Sequence, residues 1–348
     1  MENIYLFMII ALAVLAIADL IVGVSNDAIN FLNSAIGSKA ISLRTIMIFA
    51  SLGIFVGAVY SSGLMEVARK GIFIPAMFNF DEIMYIFMAV MITDILLLDF
   101  FNTLGLPTST TVSIVFNLLG AAVVMSLIKI GVSETQTVAD LGNYINTKKA
   151  LEIIRGILLS VLIAFSVGAL VQWVSRFIFT FQIQKKVKNF GAVFGAVALT
   201  SITYFIFLKG LKGTPYYKTL KGSIEGNEIF IILGSFALWL VLSYLFEYLT
   251  KKTVLLVVIA VGTFGLALAF AGNDLVNFIG VPMAAYHSYE AWSVSGVDAS
   301  LFSMEVLDKK VPAEPLLLFI AGAIMVLTLW FSKKAKTVAE TEIGLSRQ

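Results

Sequence analysis

Nine apolar runs separated by polar intervals organise this chain. They are Tyr5–Val24, Thr45–Leu64, Ile83–Leu98, Thr111–Ile130, Ile157–Phe179, Gly191–Leu208, Ile229–Leu249, Val254–Phe270 and Leu316–Phe331. A bilayer's hydrocarbon core is roughly 30 Å thick, and about 20 apolar helical residues cross it. The pattern therefore predicts an all-α polytopic membrane protein with about nine spans. Runs that are short or enter polar residues directly are expected to be broken or re-entrant. Between the runs, Ser133–Lys149 and Asp298–Pro315 read as loops, and Gln182–Asn189 and Lys209–Lys221 as basic turns. Lys and Arg do not alternate cleanly between successive loops. Their excess over Arg176–Lys188 leans toward the cytoplasmic side without fixing the orientation.

One internal repeat stands out. Residues 26–32 read Asn-Asp-Ala-Ile-Asn-Phe-Leu, and residues 273–279 read Asn-Asp-Leu-Val-Asn-Phe-Ile. Both copies come directly after a long apolar run. Two matched copies at equivalent places suggest two homologous halves, the plan of inverted-repeat secondary transporters. The expected division is a first half over 1–130, linking loops and helices over 131–228, and the start of a second half over 229–348. Half-helices carrying the motifs are expected to meet near the bilayer midplane.

Composition narrows the class. Hydrophobic residues make up 59% of the chain and charged residues 13%, with a net charge of +2. Soluble domains carry about 25% charged residues, so a soluble globular enzyme is excluded. No basic stripe marks a nucleic-acid binder. Cysteine is absent, which removes disulfides and thiolate chemistry, and the single histidine, His287, argues against a His-based metal site. The opening Met1-Glu2-Asn3 has no cationic leader region, so the first run reads as a retained span.

The polar residues within the runs carry the chemistry. An ionised carboxylate at membrane depth costs at least about 2.5–3.5 kcal/mol and is rarely idle. In Asn-Asp-x-x-Asn the Asp and second Asn are three apart and share a face when helical. Asp27 with Asn30, and Asp274 with Asn277, would each aim hard oxygens at one point, suited to a cation such as Na⁺. A single copy would read as a helix end at the interface; the matched pair favours ion binding.

A second motif, Leu106-Pro107-Thr108-Ser109-Thr110-Thr111, precedes the fourth run. Its proline ends the preceding segment, and its hydroxyl cluster caps the fourth run. A helix N-terminus with four hydroxyls can cradle an anion without Arg or Lys; alone, the motif reads rather as an ordinary capped turn at the membrane surface. Together the two motifs make anion and cation binding mutually dependent, because carboxylates repel an anion unless cations sit beside them. A carboxylate would also accept a phosphate proton, which sulfate lacks.

Other polar residues are weighed similarly. Asp19 and Asp94 fit an ion path and a structural pairing equally well. Asp99 with Asn102 reads as a helix-end cap, Glu66 with Arg69 as a local surface pair, and His287 as a loop residue. The 28 Phe and 12 Met read as packing or lipid-facing residues. Gly37, Gly120 and Gly168 read as close helix contacts.

The paired Asn-Asp-x-x-Asn motifs and the Pro-x-Ser-Thr-Thr hairpin resemble the inorganic phosphate transporter (PiT) family of sodium- or proton-coupled phosphate symporters. That family's signature reads Gly-Ala-Asn-Asp-Val-Ala-Asn-Ala, once per half. Here the core is intact in Val24–Phe31 and Ala271–Phe278, the leading Gly is absent and Phe replaces the final Ala. The family's Pro-Val-Ser-Thr-Thr-His becomes Pro107–Val112, without the His. The resemblance implies phosphate contacts from Ser109, Thr110 and Thr111, with Thr108, Asn30 and Asn277 completing the site. It implies Na⁺ or H⁺ binding by Asp27, Asn30, Asp274 and Asn277, supported by Asn26 and Asn273; a place for Asp94 on the ion path rests on the residue reading alone.

The resemblance implies a multi-pass cell-membrane protein with Na⁺ or H⁺ as coupling ion and no other cofactor. Its partners would be inorganic phosphate and the lipid bilayer, not nucleic acid, and it allows a homodimer. Family members carry a second Ser-Thr-Thr hairpin. The repeat offset places its counterpart near position 357, past Gln348, so a longer parent protein is expected. The rivals are a sulfate or related oxyanion permease, a non-transporting membrane receptor or scaffold, and an intramembrane hydrolase built on Asp94 with Asp99 or Asp19.

Overall fold

A computed structural model describes residues 2–61, 71–179, 183–207, 222, 226–308, 314–335 and 337. Nine α-helices lie among them: α1 (Glu2–Ser38), α2 (Leu43–Val59), α3 (Phe80–Leu104), α4 (Thr110–Val132), α5 (Thr147–Phe179), α6 (Ile183–Phe205), α7 (Glu228–Thr250), α8 (Leu255–Ser293) and α9 (Pro315–Phe331). The protein is all-α, with two isolated β-bridges among the described residues, Phe73 to Ile145 and Asn79 to Ser303. Six helices, α1, α3, α4, α5, α7 and α8, are long and apolar enough to cross a membrane. Leu43–Val59, Phe190–Phe205 and Pro315–Phe331 are shorter apolar helices.

Local chemistry sets the helix ends that matter for the site. The backbone N–H of Asn79 donates to Glu82 Oε2 at 2.8 Å, satisfying a group at the start of α3. Gly105 ends α3 at φ 68°, a left-handed conformation that favours glycine. Ser109 Oγ caps α4 by accepting from Val112 N–H at 3.3 Å. At the other end of α4, Lys129 Nζ donates to Met77 O at 2.9 Å and Glu82 Oε2 at 2.8 Å. The tight turn at one end and this tie at the other make α3 and α4 an antiparallel hairpin.

The chain divides into two compact units. The first comprises residues 1–29, 61–155 and 272–348; the second comprises 30–60 and 156–271. These units do not follow the expected division at 130 and 229, since each takes segments from both sides of it. The first unit's core combines aliphatic side chains with an aromatic cluster: Phe80 stacks on Trp292 at 4.6 Å, and Tyr5 meets both rings edge-on. In the second unit, Gly53 and Gly57 of α2 lie against the α8 backbone at Phe264 and Leu268, so closely that a Cβ at either would overlap it. There too, Trp239 Nε1 donates to Thr203 Oγ1 at 2.9 Å, joining α7 to α6.

Several expectations are corrected. The helices are not broken at the motifs. Helix α1 runs unbroken through residues 26–30 and α8 through 273–277, because buried apolar side chains continue past each motif. Residues 183–189 of the expected basic turn belong to α6. His287 is helical, within α8, and its Nδ1 lies 3.1 Å from Glu290 Oε2. Asp99 pairs with Lys334 at 2.5 Å, and Gly105, not Asn102, closes α3. Gly120 and Gly168 face open space, and Gly37 meets only Asn33 Oδ1 at 3.9 Å. Glu66, Arg69 and the stretch Lys209–Lys221 lie outside the described residues.

Candidate functional site

The site lies in the first compact unit, where α1, α4 and α8 meet. Its foundation is Asn26, which is fully buried. The Asn26 amide donates to Asn102 Oδ1 at 2.9 Å and to Leu106 O at 3.1 Å. Its Oδ1 accepts from the Thr108 backbone N–H at 2.6 Å. Asn102 in turn donates to Val22 O at 2.8 Å. One side chain thus ties the 105–109 turn to α1 at two points. Burial of an amide is tolerable only when its groups are paired, and here they are.

This clamp fixes where α4 begins, and the first two residues of α4 face different carboxylates. Thr110 Oγ1 donates to Asp27 Oδ2 at 2.9 Å, and both residues are buried. Thr111 Oγ1 donates to Asp274 Oδ1 at 3.2 Å. Asn277 Nδ2 reaches Thr111 Oγ1 at 2.9 Å and Asp274 Oδ1 at 3.2 Å. The two repeat copies therefore converge on adjacent threonines at one helix N-terminus. The partial positive charge of that terminus favours nearby carboxylates. Close approach of α1 and α8 depends on Gly23, whose added Cβ would overlap the Phe278 ring.

The remaining sequence-predicted residues take varied places. Ser109 acts through its capping oxygen, and the contact that fixes Thr108 is made by its backbone N–H. Asn30 is exposed and falls in the second unit. Asn273, the repeat counterpart of Asn26, is exposed, and its side chain makes no hydrogen bond among the described residues. The two copies are thus alike in sequence and unequal in structure.

Asp94 is fully buried, and its Oδ1 accepts from Ser113 Oγ and from Asn117 Nδ2, the latter at 2.8 Å. Asp19, also fully buried, lies alongside it. The sequence reading took Asn102 for a helix-end cap and missed Ser113 and Asn117. Ser113 and Asn117 lie three and seven residues after Thr110, a helical spacing that places all three on one face of α4.

The sequence profile of the phosphate transporter family matches residues 23–341. The chain belongs to the phosphate transporter family. Among its relatives, "Putative phosphate permease PH0640" of Pyrococcus horikoshii is 25% identical over 277 residues, covering 78% of this chain and 64% of that protein. "Putative phosphate permease PF1020" of Pyrococcus furiosus is 27% identical over 285 residues, again covering 78% of this chain and 64% of that protein. The matched region spans less than two thirds of these relatives. The fold is similar to a solved structure described as the sodium-dependent phosphate transporter, with a TM-score of 0.64 and 21% identity over 96% of this chain and 78% of that one. Membership of the phosphate transporter family makes this a multi-pass membrane protein of a transporter family, not an enzyme.

Proposed function

We propose that the protein carries inorganic phosphate across the membrane, coupled to Na⁺ or H⁺, by alternating access. The observation that carries the reading is the convergence of Asp27 and Asp274 on Thr110 and Thr111. In the described geometry each threonine gives its only hydroxyl proton to a carboxylate. A cation held by Asp27 and Asp274 would satisfy those carboxylates and release both hydroxyl protons to an anion at the α4 N-terminus. Anion binding would then require cation binding, which is the coupling a symporter needs. In this reading Ser109, Thr110 and Thr111, with Thr108, Asn30 and Asn277, surround phosphate. Asp27, Asn30, Asp274 and Asn277 hold the ion, with Asn26 and Asn273 in support.

Further support comes from the family's description, the named relatives and the sodium-dependent protein that shares the fold. Sodium is the leading coupling ion in this proposal. The motif-bearing segments belong to two halves of an inverted repeat, residues 1–130 and from 229 onward, with 131–228 linking them. The test is uptake of labelled phosphate by the full native reading frame in cells lacking their own phosphate uptake. Sodium-dependent uptake that excess sulfate leaves intact is expected. Absence of uptake from protein folded in the membrane would overturn the proposal, and equal competition by sulfate would replace phosphate with a broader oxyanion class.

A further inference from the structure

Two carboxyls in the first unit lack the partners that burial demands. Asp19 of α1 is fully buried, and among the described residues the group within hydrogen-bond reach of its oxygens is the Asp94 carboxyl, with no other donor. Asp94 of α3 is fully buried beside it, and its Oδ2 also meets no donor other than the Asp19 carboxyl among the described residues. The other Asp94 oxygen shows what satisfaction looks like here: it accepts from both Ser113 and Asn117 of α4. Ser113 Oγ in turn accepts from Asn117 Nδ2 at 3.3 Å. The facing groups are therefore two carboxyls from α1 and α3, and a hydroxyl and an amide from α4. No Lys, Arg or His pairs with either carboxyl among the described residues.

Two acceptors that face each other without a donor need a positive charge between them. An isolated buried charge costs several kcal/mol even after relaxation, and two like charges cost more. We infer that Asp19, Asp94, Ser113 and Asn117 form a buried site for one monovalent cation, separate from the repeated motifs. Their oxygens are hard donors, which suit a proton or Na⁺ rather than a transition metal. One monovalent cation shared by the two carboxyls leaves a single negative charge, which the Ser113 and Asn117 donors to Asp94 offset.

Position gives the site its significance. Asp19 precedes Asp27 by eight residues, about 12 Å along an α-helix. The same face of α4 presents Thr110 to Asp27 and Ser113 and Asn117 to Asp94. Occupancy of the buried site thus bears on the helix whose first turn holds the motif carboxylates.

The test needs no phosphate, and the Asp19 and Asp94 variants separate this site from the motif carboxylates of the transport proposal. The full native protein is purified, and its thermal unfolding is followed with Na⁺ against K⁺ at fixed alkaline pH, and separately from pH 8 to 5 without Na⁺. Wild type should gain about 5 °C on saturation, the size expected for a ligand at roughly 100 times its Kd. A gain with Na⁺ identifies sodium, and a gain on acidification alone identifies a proton. Asp19→Asn and Asp94→Asn should each remove the part of the responding arm that this site supplies, while Asp99→Asn, at an exposed ion pair outside both sites, should keep it in full. The single variants each leave half the pair, and a change in the carboxyl infrared bands of wild type on cation exchange gives a readout that does not require them to fold. A wild type insensitive to both cations, or single variants that respond as wild type does, would overturn the inference.

Discussion

Substituting the two repeat asparagines separately should have very unequal consequences. Asn26→Ala removes an amide that makes three hydrogen bonds at 2.6–3.1 Å in a fully buried position. The Thr108 N–H and the Leu106 carbonyl would be stranded, and each buried unsatisfied group costs about 1–3 kcal/mol. Asn102 can partly compensate through its remaining bond to Val22 O. The sum is about 3–5 kcal/mol, or on the order of 5–10 °C in unfolding temperature. Asn273→Ala removes an exposed side chain without a hydrogen-bond partner among the described residues, and should cost within about 0.5 kcal/mol. Thermal unfolding of the two purified variants, in the same detergent, makes the comparison. Release of the 105–109 turn should also make Asn26→Ala more susceptible to proteolysis there. Equal destabilisation by both substitutions, or a loss under about 1 kcal/mol for Asn26→Ala, would refute the clamp.

The same geometry sets other outcomes. Thr111→Val removes a hydroxyl that donates to a carboxylate, and should lower labelled-phosphate uptake about 10- to 100-fold, whereas Thr111→Ser should retain it. Asp27→Asn and Asp274→Asn should each abolish cation-coupled uptake; unaltered uptake in both would remove these residues from the proposed site. Gly57→Ala would drive a Cβ into the Leu268 carbonyl and should cost about 1–3 kcal/mol in a melting experiment, while Gly168→Ala, facing open space, should be neutral or slightly stabilising. Lys334→Ala breaks an ion pair that is nearly half exposed on both sides, and should change stability by about 0–1 kcal/mol, less in high salt.

The helical membrane class was legible because hydropathy acts over about 20 residues at a time and needs no tertiary information. The motif pair was legible because polar residues inside apolar runs are expensive wherever they lie. Helix continuity through the motifs was not. Asn and Asp are good caps, so residues 26–30 read as an end, while the buried positions Ala28, Ile29, Leu32 and Ala35 carry the helix onward. The glycine contacts failed for a related reason. Sequence shows where a backbone could be approached, but only packing shows that Gly23, Gly53 and Gly57 are approached and Gly120 and Gly168 are not. Asn102, Ser113 and Asn117 sit at helical spacing from residues already singled out, yet their partners lie 19 to 80 positions away in the chain. The inequality of Asn26 and Asn273 has no trace in the motif, since it depends on which segment folds against each.

The long sequence separation of the site's halves has a consequence for how the protein is made. Asp27 reaches its threonine partner only after 83 further residues, and the carboxylate of the second motif arrives much later still. At a synthesis rate of about 5–20 residues per second, α1 leaves the ribosome roughly 4–17 s before Thr110 and most of a minute, at the slower rate, before Asp274. A helix carrying Asp19, Asn26 and Asp27 must therefore wait at or near the insertion machinery with its polar groups unanswered. Biogenesis should proceed by deferred release: α1 is retained until the α3–α4 hairpin supplies Asn102, the turn backbone and Thr110. Nascent chains arrested before α4 should remain crosslinkable to the translocon through α1, and chains arrested after it should not.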